Sequence, residues 1–93
     1  MGKMNHPEIV AALVAENPKA KLGDMHLYAE AFLQWQEATA NVREHGAIVA
    51  HPRTGSPIEN PYLAVQSAAL RNLQRFPKLK TDSLWRQEGE ARP

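Results

Sequence analysis

The chain has no cysteine, which excludes a disulfide framework and a thiolate zinc site and leaves assembly as the means of stapling a small domain. It has no apolar run near the roughly 20 residues that a membrane-spanning helix needs. Its start, Met1-Gly-Lys-Met-Asn-His-Pro, lacks the apolar core of a secretory signal, so a cytosolic, non-membrane protein is expected. Charge of one sign is also missing: 11 Lys and Arg stand against 10 Asp and Glu, a formal net charge of +1, too little to coat nucleic acid by bulk electrostatics. At 93 residues the chain makes one domain at most and buries a smaller fraction of its surface than a larger protein would. Copies are therefore expected to cover one another in an oligomeric helical assembly.

Catalytic constellations are absent as well. No nucleophile stands in pattern with a base and an orienting group. His6, His26, His45 and His51 are scattered without a His-x-x-x-His pair, so no metal site is expected. Glu30, Glu37 and Glu44 recur every seven residues, which on a helix places them about 10 Å apart, too far for one ion to bridge. They read as a solvated ridge, or as a seam that meets a neighbour's Arg or Lys. Gly2-Lys3 and Thr54-Gly-Ser56 do not have the Gly-x-x-x-x-Gly-Lys spacing of a phosphate-binding loop. The expectation is a protein that is not an enzyme and carries no cofactor.

What is present is helical patterning, and the fold class expected is mainly α. A short N-terminal helix should start at Asn5, which can cap while Glu8 reaches back as in a capping box, and stop at Asn17-Pro18. A long helix follows from Asp24 as cap to about His45, closed by a left-handed Gly46. At 100° per residue, Leu27, Ala38, Ala31, Val42, Trp35, Tyr28, Thr39, Phe32 and Met25 fall in one arc roughly 160° wide that should face the core. Leu33, with Ala29 and Ala40, lies away from that arc, and close packing between protomers would explain it.

Ile48-Val49 and Ile58 flank the turn-rich Pro52-Arg53-Thr54-Gly55-Ser56-Pro57, which could form a small hairpin or an ordered loop. Asn60-Pro61 is a helix-start signal. The third helix is expected from Pro61 to about Phe76, with Tyr62, Leu63, Val65, Ala69, Leu70, Leu73 and Phe76 on its packing face. Residues 1–77 read as a helical oligomerisation domain, and 78–93 as a flexible tail anchored at Leu84-Trp85. Trp85 is an apolar anchor in polar surroundings, suited to docking on its own subunit, a neighbouring subunit or a partner protein.

Charge is distributed unevenly. Up to residue 70 five basic residues oppose seven acidic ones, whereas Arg71, Arg75, Lys78, Lys80 and Arg86 face only Asp82 between positions 71 and 86. Arg71 and Arg75 are expected on one exposed helix face leading into Lys78 and Lys80, a strip that could neutralise several phosphates. Solubility and complementing the helix dipole are the alternative roles of those arginines. Arg53 at the loop tip is a second candidate contact or a plain turn residue, and Lys19 and Lys21 are weaker candidates.

The order of these features, from Leu22 to Phe76, resembles the small subunit of tailed-bacteriophage terminases. The residues that carry the likeness are Asp24, Tyr28-Ala29, Trp35, the Gly46 stop, the Arg53-Thr-Gly55 loop, Asn60-Pro61 and the alanine-bearing third helix. After that helix Phe76-Pro-Lys-Leu-Lys-Thr stands where the family tends toward Leu-Gly-Leu-x-Pro. The resemblance implies a homo-oligomeric ring in the host cytoplasm that binds viral double-stranded DNA and regulates the large ATPase and nuclease subunit. DNA would then meet Arg71, Arg75, Lys78, Lys80 and Arg53, and subunits would meet through Ala29, Leu33, Ala40 and Trp85. The alternative is a small helical regulatory or structural interaction protein without a nucleic-acid role.

Overall fold

Asn5 opens the first helix in both directions at once: its Oδ1 accepts the Glu8 N–H at 2.9 Å, and Glu8 Oε1 accepts the Asn5 N–H at 2.9 Å. This capping box starts α1 (His6–Glu16) in the computed structural model, which describes residues 4–89. Gly2-Lys3 and the end of the expected tail, 90–93, lie outside the described residues. After Asn17-Pro18 the long helix α2 (Leu22–His45) begins two residues earlier than Asp24, which stands in its first turn while Lys21 takes the cap position without a side-chain bond. A carboxylate in the first turn serves the helix dipole from there.

Gly46 ends α2 at φ 85°, ψ 174°, with its N–H on the Val42 carbonyl at 2.7 Å. This is the glycine-favoured mirror of extended backbone rather than the left-handed helical region, and it sends the chain straight into a hairpin. Strands β1 (Ile48–Ala50) and β2 (Pro57–Glu59) pair antiparallel with Val49 opposite Ile58. Asn60 then starts the return. Its Oδ1 accepts the Tyr62 N–H at 2.9 Å, and its Nδ2 donates to Asn41 Oδ1 at 3.0 Å and to the Gly46 carbonyl at 2.9 Å. One buried amide thus caps α3 (Tyr62–Leu73) and ties its start to the end of α2.

Helix α3 runs back along α2, and their contact is the most extensive in the fold. Gln66 Nε2 donates to Thr39 Oγ1 at 2.8 Å, and further along Phe76 meets Tyr28 edge-on with ring centroids 6.0 Å apart. The helix stops at Leu73, three residues short of Phe76, and tightens into a turn in which Arg75 and Phe76 donate to the Asn72 and Leu73 carbonyls. Pro77, which disfavours helical backbone at the residue before it, accounts for that early stop. Arg75 consequently lies in the turn beyond the helix that carries Arg71. Tyr62 and Val65, expected against α2, are 42% and 41% exposed.

The expected anchor at Leu84-Trp85 is present, and the residues around it form a fourth helix, α4 (Asp82–Glu88). Leu84 and Trp85 are buried. The indole stands edge-on to Phe32 and Trp35 with centroids 4.8 and 4.9 Å away, and its Nε1–H donates to Tyr28 Oη at 3.1 Å. Glu16 Oε1 accepts the Ser83 N–H at 2.6 Å, and Gln36 Nε2 bonds Glu88 Oε2. Because α1 and α4 cover that side of α2, the buried sector is turned toward Ala29 and Gln36, and Leu27 at the other margin is 58% exposed.

Ala29 and Trp85 are enclosed within their own chain, where close α1–α2 packing and an aromatic cluster already use them. Leu33 is partly buried against that same core, and Ala40 is half-exposed.

Candidate nucleic-acid interface

Two turns far apart in sequence meet at the start of α2. The first, 17–21, carries Lys19 and Lys21; the second, 74–80, carries Arg75 and Lys78. Pro18 and Pro77 fix φ in each turn, and Asn17 joins them. Its Oδ1 accepts the Lys80 N–H at 2.7 Å, its Nδ2 donates to the Lys80 carbonyl at 2.8 Å, and the same Nδ2 reaches the Leu13 carbonyl at 2.9 Å. This is the pairing that a strand neighbour would make, supplied by one buried side chain.

Between the turns lies a groove of about 430 Å³ whose walls present Lys19, Lys21, Arg75 and Lys78. Its floor is apolar, built from Ala20, Phe76 and Leu79, all partly buried against the core. Asp24 is the only carboxylate on its lining. None of the four cations has an ion-pair or side-chain hydrogen-bond partner among the described residues. Four like charges set against the single carboxylate of Asp24 raise the local positive potential. A second cavity of about 300 Å³ adjoins it between α2 and the end of α3, lined by Leu27 and Glu30 on one side and Asn72 on the other, with Arg75 and Phe76 shared by both.

The structure therefore gathers Arg75, Lys78 and Lys80 at one end of the molecule and adds Lys19 and Lys21 to them. Lys80 is held by its backbone with its side chain exposed. Arg71 is exposed in the last turn of α3, on the approach to this end. Arg53 is not part of the group. It sits in the hairpin loop beyond His45, and the 24 residues of α2 separate that loop from the groove by about 36 Å at 1.5 Å per residue. There the Arg53 N–H donates to His51 Nδ1 at 3.1 Å, and Gly55, at φ 73°, donates to the His51 carbonyl at 2.8 Å. The loop is ordered by His51 and leaves the Arg53 side chain exposed.

Sequence reasoning ranked Lys19 and Lys21 low because nothing local links 19–21 to 75–80. Asn17 was the available signal, an amide beside a proline at a helix end. Its long-range role has no sequence signature.

Among the described residues no group of three or more His, Cys, Asp or Glu side chains converges, and no helix is long and apolar enough to cross a membrane. His6 Nε2 and His26 Nδ1 lie 2.9 Å apart in a stacked pair that ties the start of α1 to α2.

A family model described as phage terminase, small subunit, matches residues 2–79. No curated protein and no solved structure matches the chain.

Proposed function

The chain belongs to the phage terminase small-subunit family, whose role is in phage DNA packaging, and from that premise we propose that it is the adaptor that brings viral double-stranded DNA to the large ATPase and nuclease subunit. In this reading it acts in the host cytoplasm as a homo-oligomer, catalyses nothing itself, and regulates the motor by presenting DNA to it. The observation that carries the DNA contact is the gathering of Arg75, Lys78 and Lys80 with Lys19 and Lys21 at one end of the molecule, Arg71 exposed alongside. Cations grouped on one surface release condensed counterions from the phosphates they replace, which favours binding without base readout. In a ring the same modest surface is repeated around the aperture, and avidity multiplies weak contacts.

Assembly is supported by the apolar side chains that one copy leaves uncovered. Leu22 and Leu27 on α2 and Ile48 on β1 are each more than half exposed, with Tyr62 and Val65 on α3 close to that. Leu33 and Ala40 remain available as partial contacts, and the Glu30, Glu37 and Glu44 ridge faces solvent where a neighbour's cations could meet it.

The test is fluorescence anisotropy with duplex DNA across salt, alongside sedimentation of the free protein. Replacing Arg71 and Lys80 with Ala should lower the slope of log affinity against log salt by about 1 per residue. An unchanged slope removes them from the contact surface. A single-copy mass at working concentration removes the ring and favours the alternative, a small helical regulator. That alternative draws on one observation, the enclosure of Trp85 and Ala29 inside a single chain.

A further inference from the structure

The groove between the two turns combines four cations that have no partner among the described residues with an apolar floor, and a duplex does not match that combination. Duplex phosphates lie on the outside of a stiff cylinder and bring no apolar group with them. A duplex can touch the rim lysines, but it leaves Ala20, Phe76 and Leu79 wet. We propose that the groove is a docking site for an acidic peptide segment of a partner protein, one that carries large apolar side chains flanked by Asp or Glu.

Charge complementarity selects this occupant. Lys19 and Lys21 line the groove from the first turn and Arg75 and Lys78 from the second, outnumbering the single carboxylate of Asp24, so carboxylates flanking a central apolar anchor meet cations from both turns while the anchor covers the apolar residues. The volume, about 430 Å³, lies within the range of about 300–1,000 Å³ typical of ligand pockets and is of a size for side chains rather than a folded domain. The walls are prepared in advance. Pro18, Pro77 and the Asn17–Lys80 pairing fix both turns, which reduces the ordering entropy lost on binding. Arg75 and Lys78 serve the DNA-facing end as well, so a docked peptide and bound DNA compete for them. The site stands on the groove itself and does not depend on the DNA-binding reading.

The experiment uses the full chain and two fluorescein-labelled peptides, Glu-Asp-Leu-Phe-Asp-Glu and its equal-charge counterpart Glu-Asp-Ser-Ser-Asp-Glu, with a duplex as the third ligand. The apolar peptide should bind about tenfold more tightly than the serine peptide, the contribution of partial burial of its anchor. Lys21→Glu and Lys78→Glu should each weaken it about fivefold, as reversal of a partly exposed charge contact does, while Arg71→Ala leaves it unchanged. Circular dichroism melts confirm that these exposed substitutions preserve the fold. Methyl signals of Leu79 should shift with the apolar peptide and not with the duplex. The proposal is overturned by no binding of the apolar peptide, by equal affinity for both peptides, or by equal loss from Arg71→Ala and Lys21→Glu. A duplex that moves Leu79 more than the peptide does assigns the groove to DNA and overturns it too. Loss of DNA binding with peptide binding intact defeats only the packaging reading.

Discussion

Asn17 holds Lys80 by the backbone, accepting its N–H at 2.7 Å and donating to its carbonyl at 2.8 Å across a sequence separation of 63. The bond pair fixes where the second basic turn lies, so it links the packing of α1 to the electrostatics of the groove. Asn17→Ala should cost about 1–3 kcal/mol, the range for leaving partly buried backbone groups unsatisfied. Amide exchange at Lys80 should speed up more than exchange in α3. Equal acceleration everywhere would mean that Asn17 supports global stability and does not specifically position the turn.

Trp85 closes the core from α4. Truncating it to Ala should cost about 3–5 kcal/mol, as large aromatic deletions in cores do, whereas Trp85→Phe keeps most of the contact and loses the bond to Tyr28 Oη, costing about 1 kcal/mol or somewhat more. Chemical denaturation measures both. A Trp85→Ala protein as stable as the parent would show that α4 does not pack as described. Residues 82–88 lie beyond the stretch matched by the family model, so this part of the core is built by residues outside that match.

Gly46 has room for a methyl group, with only the Ile48 carbonyl near at 4.0 Å, yet its backbone angles are the obstacle. Gly46→Ala should destabilise by about 1–3 kcal/mol through backbone strain. Because the strain sits at the joint between α2 and the hairpin, protection should fall first at Asn60, whose N–H donates to the Ala47 carbonyl at 2.7 Å and closes the hairpin. Unchanged exchange at Asn60 would contradict this.

Gln36 is buried with its Oε1 unbonded among the described residues while its Nε2 reaches Glu88. Replacing it with Met removes an unsatisfied acceptor and keeps volume, so the melting temperature should stay the same or rise, since apolar replacement of an imperfectly paired buried group is often neutral or better. A loss above about 2 kcal/mol, the scale of a stronger hydrogen bond, would assign the Gln36–Glu88 bond a larger share in holding α4.

Local chemistry made much of this architecture readable from residues alone. The Asn5–Glu8 box, the glycine after His45, the turn residues between Ile48 and Ile58, and the Asn60-Pro61 start each act within a few positions of chain, so sequence carries them in full. The long apolar arc of α2 was legible for the same reason, since periodicity is a property of one helix. Its outer margin was not: whether Leu27 or Gln36 is buried depends on which neighbours arrive, and α1 and α4 arrive on the Gln36 side.

Residue patterning alone therefore carries the first three helices, their approximate ends, the turn-rich link between the second and third, and a cluster of cations after residue 70, while α4 came only with the packing of Leu84 and Trp85. Tertiary structure decided that Trp85 is used inside its own chain and that the turn carrying Lys19 and Lys21 meets the turn carrying Arg75 and Lys78 around one groove. These outcomes depend on contacts between segments more than 50 residues apart, such as Asn17 with Lys80 and Glu16 with Ser83. Such pairings are chosen by the packing of the whole chain, and no short stretch of residues encodes them.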